Sequence, residues 1–79
     1  MTEGQIQKEL INQLEKEGYY VIKLMKTNKN GIPDILAIEP GGLAIFYEVK
    51  KGKGKLTPLQ QFRKEELNKH GCTVHIYRK

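Results

Sequence analysis

Apolar residues near the start of the chain recur at helical intervals, at positions 6, 10, 11 and 14. Thr2 and Gln5 have the spacing of a capping box, and Gly18 is a residue type that commonly follows the last turn of a helix. Together these features predict a first helix from about Glu3 to Glu17.

A second helix is predicted in the last third of the chain from its boundary residues. Thr57 is a suitable N-cap, Pro58 suits the first helical position, and Gln60 stands at the third position of a capping box. We expect the helix to run to His70 and to end before Gly71.

Four further segments have the alternation or the β-branched and aromatic content of strands. They are Tyr19–Met25, Ile35–Glu39, Leu43–Lys50 and Cys72–Arg78. The polar turn KTNKNG separates the first two, and Pro-Gly-Gly at positions 40–42 makes a hairpin of the second and third. The predicted order of elements is αβββαβ.

This order restricts the topology of the sheet. A strand, a helix and a strand in succession form a right-handed crossover, so the third and fourth strands should be parallel neighbours. The first three strands should form an antiparallel meander. The predicted fold is therefore α/β, a mixed four-stranded sheet flanked by two helices, with the third strand in a central position.

The 79 residues limit the chain to a single domain, residues 1–79, with a small core. One cysteine excludes an internal disulfide and favours a reducing compartment. The polar start, and the lack of an apolar run near the roughly 20 residues of a membrane span, predict a soluble, cytoplasmic protein. Fourteen Lys and Arg against nine Asp and Glu give a net charge of +5, which favours a polyanionic partner such as nucleic acid.

The central strand breaks its own apolar pattern near its end. Alternation places Glu48 and Lys50 on the same face as Ala44 and Phe46. Because hairpin partners run antiparallel, Asp34 at the start of the preceding strand should lie beside this charged pair. The sequence therefore predicts that two carboxylates and one ammonium group meet at one end of the sheet.

Two carboxylates that converge beside apolar strands repel each other unless a cation joins them. Oxygen ligands of this kind suit Mg²⁺ or Mn²⁺, with water in the remaining positions. The alternative is an ordinary Glu48–Lys50 ion pair, with Asp34 shaping a turn after Pro33. A zinc site does not compete, because Cys72 and His75 would lie on opposite faces of their strand.

Ile32-Pro33-Asp34, followed after a hairpin by Glu48-Val49-Lys50, resembles the PD-(D/E)xK nuclease superfamily. The segments GIPDILAI, FYEVKKGKGKLTPLQQ and NKHGCTVHIY further resemble the VRR-NUC (virus-type replication-repair nuclease) family over nearly the whole chain. The resemblance implies a restriction-endonuclease-like core. It also implies that Asp34, Glu48 and the backbone carbonyl of Val49 hold the metal, and that Lys50 orients or activates the attacking water.

Two further site residues follow from the resemblance, each with a structural alternative. Glu3 matches an acidic residue that the family often carries at the start of its first helix, but an acid there also suits the helix dipole. Gln60 matches the family glutamine in TPLQ, and its spacing from Thr57 is also that of a capping box. Gln7 stands where related resolvases carry a glutamate, so that metal ligand is either absent or supplied by Glu3.

Lysines follow the candidate site directly in a glycine-spaced loop, at Lys51, Lys53 and Lys55. Their position favours contact with DNA phosphates over simple solvation. Lys26 and Lys29 in the first interstrand turn, with Lys23 before them, are expected to extend this basic track.

These features predict a metal-dependent DNA endonuclease of a bacterial or phage-infected cell. The leading version is a homodimer that cuts branched or four-way DNA, as Holliday junction resolvases do. The alternatives are a flap, restriction-like or non-specific nuclease, and a basic DNA-binding module without catalytic activity.

Overall fold

The computed structural model describes all 79 residues of the chain. Its elements are α1 (Glu3–Lys16), β1 (Tyr20–Lys23), β2 (Ile35–Ile38), β3 (Ala44–Lys50), α2 (Pro58–Lys69) and β4 (Thr73–Arg78). The predicted αβββαβ order is confirmed. None of the helices has both the length and the apolar character needed to cross a membrane.

The four strands form one mixed sheet in the order β1-β2-β3-β4. β1 pairs with β2 and β2 with β3 in antiparallel fashion, whereas β3 and β4 are parallel and are connected through α2. The register places Ile35 opposite Tyr47 and Lys50 opposite Arg78. β3 is thus paired on both sides, as predicted, and its last residue lies at the same end of the sheet as the first residue of β2.

Both helices begin with a capping box. The Thr2 hydroxyl accepts from the Gln5 amide at 3.1 Å, and the Gln5 side chain accepts from the Thr2 amide at 2.7 Å. Thr57 and Gln60 repeat this arrangement at the start of α2, where Pro58 occupies the first turn. These reciprocal bonds satisfy amides that have no partner inside the helix, which is why the sequence predicts both starts.

The first strand is shorter than its sequence suggests. The Tyr19 amide bonds to the Leu14 carbonyl at 3.0 Å, so this residue still belongs to the exit from α1. At the other end Met25 is exposed and lies beyond the residues that pair with β2. β1 therefore keeps four residues of the seven predicted.

The core lies between α1 and one face of the sheet. Six buried residues form it: Ile6, Leu10, Leu14, Ile35, Ala37 and Val49. α2 packs along β4 and has no buried residue of its own. The two faces of the sheet are therefore covered to different extents. α1 packs over one face, and α2 covers only part of the other.

Candidate active site

The end of β3 and the start of β2 bring Asp34, Val49 and Glu48 together. The Asp34 Oδ2 atom accepts a hydrogen bond from the Val49 amide at 2.8 Å. The Asp34 carbonyl accepts from the Leu24 amide, also at 2.8 Å, so its backbone is fixed by β1. Asp34 is thus held by hydrogen bonds on both sides, from Leu24 just after β1 and from Val49 near the end of β3.

Pro33 leaves the Val49 carbonyl without a ladder donor. The register of β2 and β3 would place Pro33 opposite Val49, two residues beyond the pair of Ile35 and Tyr47. Pro33 has no N–H to donate, and the N–H and C=O of one strand residue point the same way. The Val49 carbonyl therefore faces the Asp34 side without a ladder donor from Pro33, and is available as a further oxygen ligand.

Glu48 is buried, with only 3% of its surface exposed. The pKa of its carboxyl is raised to about 8, above all because burial disfavours the charged form. A hydrogen bond to the Asp34 carboxyl and the negative charges of Asp34 and Glu3 act in the same direction, while the Lys50 ammonium opposes them. At neutral pH the Glu48 carboxyl is therefore largely protonated, and a cation bound beside it would favour its charged form.

Lys50 closes β3 on the same face as Glu48, and it is also buried, with 9% exposed. A buried lysine is uncommon unless it has a partner, and its charge acts on Glu48. Glu48 and Lys50 are therefore both shielded from solvent at the end of β3.

Glu3, in the first turn of α1, reaches the same end of the sheet. Its Oε2 atom accepts from the Lys51 amide at 3.3 Å. Its charge also contributes to the raised pKa of Glu48. Gln7, one turn further along α1, is partly buried. The start of α1 is thus adjacent to the Asp34–Glu48 pair, with Glu3 as its acidic residue.

Gln60 has a different environment. Its Oε1 atom accepts from the Thr57 amide at 3.0 Å, and its own amide donates to the Thr57 hydroxyl at 3.1 Å. The oxygen of the side chain is therefore used by the cap of α2. No contact joins Gln60 to Asp34 or Glu48 among the hydrogen bonds of the structure, so the geometry supports the capping role that the sequence left open.

The lysines predicted to bind DNA lie in two exposed loops. Lys51, Lys53 and Lys55 follow β3 directly, in the segment that we call the basic loop (Lys51–Lys55). Lys26 and Lys29 lie in the connection from β1 to β2, which leads into Asp34. Both loops emerge at the end of the sheet that carries the two carboxyl groups, so the positive charge lies around the candidate site.

The donor set fits a hard divalent cation better than a softer metal such as zinc, which favours thiolate and imidazole ligands. No cluster of three or more His, Cys, Asp or Glu side chains with a metal-binding arrangement occurs in the structure. Two carboxylates and a backbone carbonyl give three oxygen donors, and Mg²⁺ usually keeps several of its waters. The site is therefore suited to Mg²⁺ or Mn²⁺ held by few protein ligands and open to a substrate phosphate.

Comparisons with known proteins match this chain to nucleases. The family model "Archaeal holliday junction resolvase (hjc)" matches residues 3–72. A solved structure titled "VRR_NUC domain" has 35% sequence identity and a TM-score of 0.88, covering 98% of this chain and 84% of that one. The protein named "Putative nuclease p44", from Acyrthosiphon pisum secondary endosymbiont phage 1, is 36% identical over 60 residues, 76% of this chain. The chain spans 64% of the length of that phage relative.

Proposed function

The chain belongs to the VRR-NUC nuclease family and to the archaeal Holliday junction resolvase family whose model it matches, and on that premise we propose that it is a metal-dependent DNA endonuclease. One observation carries the proposal. The buried Glu48 carboxyl lies next to Asp34, whose Oδ2 atom accepts from the Val49 amide, at the end of the sheet from which the two lysine-bearing loops emerge. A purely structural ion pair would not need a second carboxyl group at this position.

In the proposed mechanism Asp34, Glu48 and the Val49 carbonyl hold the cation. When bound, Mg²⁺ or Mn²⁺ supplies an activated water and neutralises charge on the attacked phosphate. Lys50 adds a fixed positive charge next to that phosphate and helps to orient the water. Glu3 accepts a hydrogen bond from the Lys51 amide, and its carboxylate would help to orient the attacking water. Gln60 is left outside this set.

DNA is the proposed substrate, held through its phosphates. The exposed ammonium groups of Lys51, Lys53 and Lys55 lie on one side of the carboxyl pair, and those of Lys26 and Lys29 precede Asp34 on the other. Phosphate contacts of this kind position a duplex without reading its sequence. Substrate choice would then depend on the shape of the DNA.

The leading substrate is branched or four-way DNA, cut by a homodimer. A four-way junction presents two symmetry-related strands, and a closed two-fold dimer would place one active site at each. Unusually exposed apolar side chains support a partner surface: Tyr20, Ile22, Leu43, Leu59 and Phe62. Small chains also gain stability when such surfaces are buried between subunits.

The proposed location is the cytoplasm of a bacterial or phage-infected cell. Cys72 is the one cysteine of the chain and is free, in keeping with a reducing compartment. The phage origin of one relative supports the viral setting. Cell fractionation of a tagged chain would test this assignment, and recovery in the periplasm would contradict it.

The decisive assay offers linear, flap and four-way DNA to the chain with and without Mg²⁺. The resolvase version predicts paired, symmetric nicks in the four-way substrate and a sedimenting mass of about twice 9.1 kDa. A monomer that cuts four-way DNA no better than linear duplex would refute the resolvase version and leave a flap, restriction-like or non-specific nuclease. Binding without any metal-dependent cleavage would favour the DNA-binding module and refute the endonuclease.

A further inference from the structure

The backbone of the basic loop is hydrogen-bonded to the end of the sheet, while its lysine side chains are exposed. The Gly52 amide donates to the Lys79 carbonyl at 2.9 Å, and the Lys79 amide donates to the Lys50 carbonyl at 3.3 Å. Inside the loop, the Gly54 amide donates to the Lys51 carbonyl at 3.0 Å and forms a tight turn. The backbone of the residue after β4 therefore anchors the start of the loop, and the turn brings Gly54 back toward β3.

Arg78 supplies the side-chain contact that holds this turn. It stands opposite Lys50 in the parallel register of β3 and β4, and its Nη1 atom donates to the Gly54 carbonyl. The two ion pairs of the structure join Arg63 to Glu66 and Lys79 to Glu9. Arg78 thus has no carboxylate partner, and the contact that its guanidinium makes is to the loop.

Gly54 in turn lies against the stem of Lys50. A methyl group added at Gly54 would lie 3.7 Å from the Cδ atom of Lys50 and 3.8 Å from its Cβ atom, which is ordinary van der Waals contact. The same methyl would be only 3.1 Å from the Lys51 carbonyl. The turn therefore packs against the Lys50 side chain, which explains why Lys50 is buried although it is the last residue of β3.

From these contacts we infer that Arg78 is a positioning residue, which closes the basic loop over Lys50 by holding the Gly54 carbonyl. The inference rests on the proposed nuclease function, because it assigns to Arg78 the placement of the charge that Lys50 brings to the phosphate. A lysine side chain has several rotamers, and a charge that is fixed beforehand needs no reorganisation during the reaction. Arg78 acts through Gly54 and Lys50 and touches no reacting atom.

The test compares Arg78→Met, Arg78→Lys and the control Lys79→Met. The control removes the same charge from the next residue, whose side chain is paired with Glu9 and whose backbone contact to the loop is retained. Single-turnover cleavage with Mg²⁺ and DNA affinity without divalent cation are measured for each. A small displacement of a catalytic group costs up to about 100-fold in rate, so we expect Arg78→Met to be about 10-fold slower with DNA affinity within about threefold. Arg78→Lys, which keeps a donor, should be within about threefold of the wild-type rate, and Lys79→Met within about twofold.

A second measurement separates this inference from the nuclease proposal. Hydrogen exchange of the Gly52 and Gly54 amides, followed without DNA or metal, should be faster in Arg78→Met than in Lys79→Met. Unchanged exchange in Arg78→Met would overturn the loop closure, whether or not the wild-type chain cuts DNA. A wild-type chain that cuts no DNA while exchange responds as expected would instead overturn the nuclease proposal, and with it the role in positioning Lys50.

Two other results would contradict the inference. If Arg78→Met binds DNA more weakly, with a flatter salt dependence but an unchanged rate for bound DNA, Arg78 is a phosphate contact. If Arg78→Met and Lys79→Met slow cleavage equally, the lost charge and not the loop contact is responsible. Should Arg78→Met fail to fold, Gly54→Ala crowds the same turn with Arg78 intact, and an unchanged cleavage rate in that variant would refute the role of the turn.

Discussion

The two faces of β3 differ in what they bury. Toward α1, Val49 is fully buried in an apolar cluster with Ile6 and Leu10. On the opposite face, Glu48 and Lys50 are almost equally buried but have ionisable side chains. Burial of apolar groups stabilises the fold, whereas burial of a carboxyl group opposes folding unless its charge is neutralised. One strand therefore supplies both a core residue, Val49, and, in the adjacent Glu48, a carboxyl group whose burial is costly for stability and whose position suits binding of a cation.

The largest expected effect lies on the charged face. Replacing Asp34 or Glu48 by Ala should lower Mg²⁺-dependent cleavage by about 1000-fold or more, because each change removes a proposed metal ligand. DNA affinity without divalent cation should stay within about threefold, since the phosphate contacts remain. Lys50→Ala should also be inactive while still able to bind the metal. Full cleavage by either carboxylate variant would refute the site.

A substitution on the apolar face should lower the free energy of unfolding and leave the cleavage rate of the folded protein unchanged. Leu10 is 3% exposed and lies in the cluster beneath α1, so Leu10→Ala should lower the free energy of unfolding by about 3 kcal/mol. Chemical denaturation measures this change. The folded fraction should cleave at the wild-type rate, because Leu10 does not reach the carboxyl pair. A folded but inactive Leu10→Ala would show that the two faces are not separable in this way.

Glu48 should make the metal-free protein less stable as the pH rises. Its folded pKa of about 8 lies above the ordinary value of 4.5, so between these values the folded state binds more protons than the unfolded state. This contribution to stability is therefore complete below pH 4.5 and is lost as the pH rises from 4.5 through 8, by up to about 5 kcal/mol. Glu48→Gln, which remains neutral, should remove most of this loss.

Thermal unfolding without divalent cation, at pH 5 and at pH 9, measures the effect. The stabilisation by Glu48→Gln should be large at pH 9 and small at pH 5. Glu9→Gln is a suitable control because Glu9 is an exposed partner of Lys79. An equal gain at both pH values would mean that the burial of Glu48 does not disfavour its charged form.

The smallest expected effect concerns the basic loop. Changing Lys51, Lys53 and Lys55 to Ala should weaken binding to all DNA sequences alike and lower the log-log salt slope by about one unit per lost phosphate contact. Fluorescence anisotropy between low and moderate salt measures the slope. An unchanged slope would leave these lysines as ordinary surface charge.

Local signals explain how much of the fold the sequence could predict. Capping residues and glycines determined both helices to within about one residue at each end, since caps depend on neighbours three positions apart. The crossover rule gave the parallel pairing of β3 and β4, and alternation in β3 placed Glu48 and Lys50 together on one face. The sequence did not predict that β1 would be so short. A hydrogen bond to Leu14, and not strand propensity, determines the position of Tyr19.

The details of the site depended on contacts that no local pattern contains. The bond from the Val49 amide to Asp34 lies beyond the last pair of β2 and β3, and it could be derived only once the register was known. The contact between Arg78 and Gly54 joins residues 24 positions apart and leaves no periodicity in the sequence. Gln60 shows the converse problem, because its spacing from Thr57 predicted a cap while its match to the family glutamine in TPLQ implied a site residue.

Calorimetric titration of Mn²⁺ into the metal-free protein at pH 7 tests the central claim most directly. Run in two buffers of different ionisation enthalpy, it reports both the affinity and the protons released on binding. With the pKa of Glu48 at about 8, the account predicts one site whose occupation releases most of one proton. Glu48→Gln should bind at least about tenfold more weakly and release none. Equal affinity in the two proteins, or binding without proton release, would contradict a cation held by the Asp34–Glu48 pair.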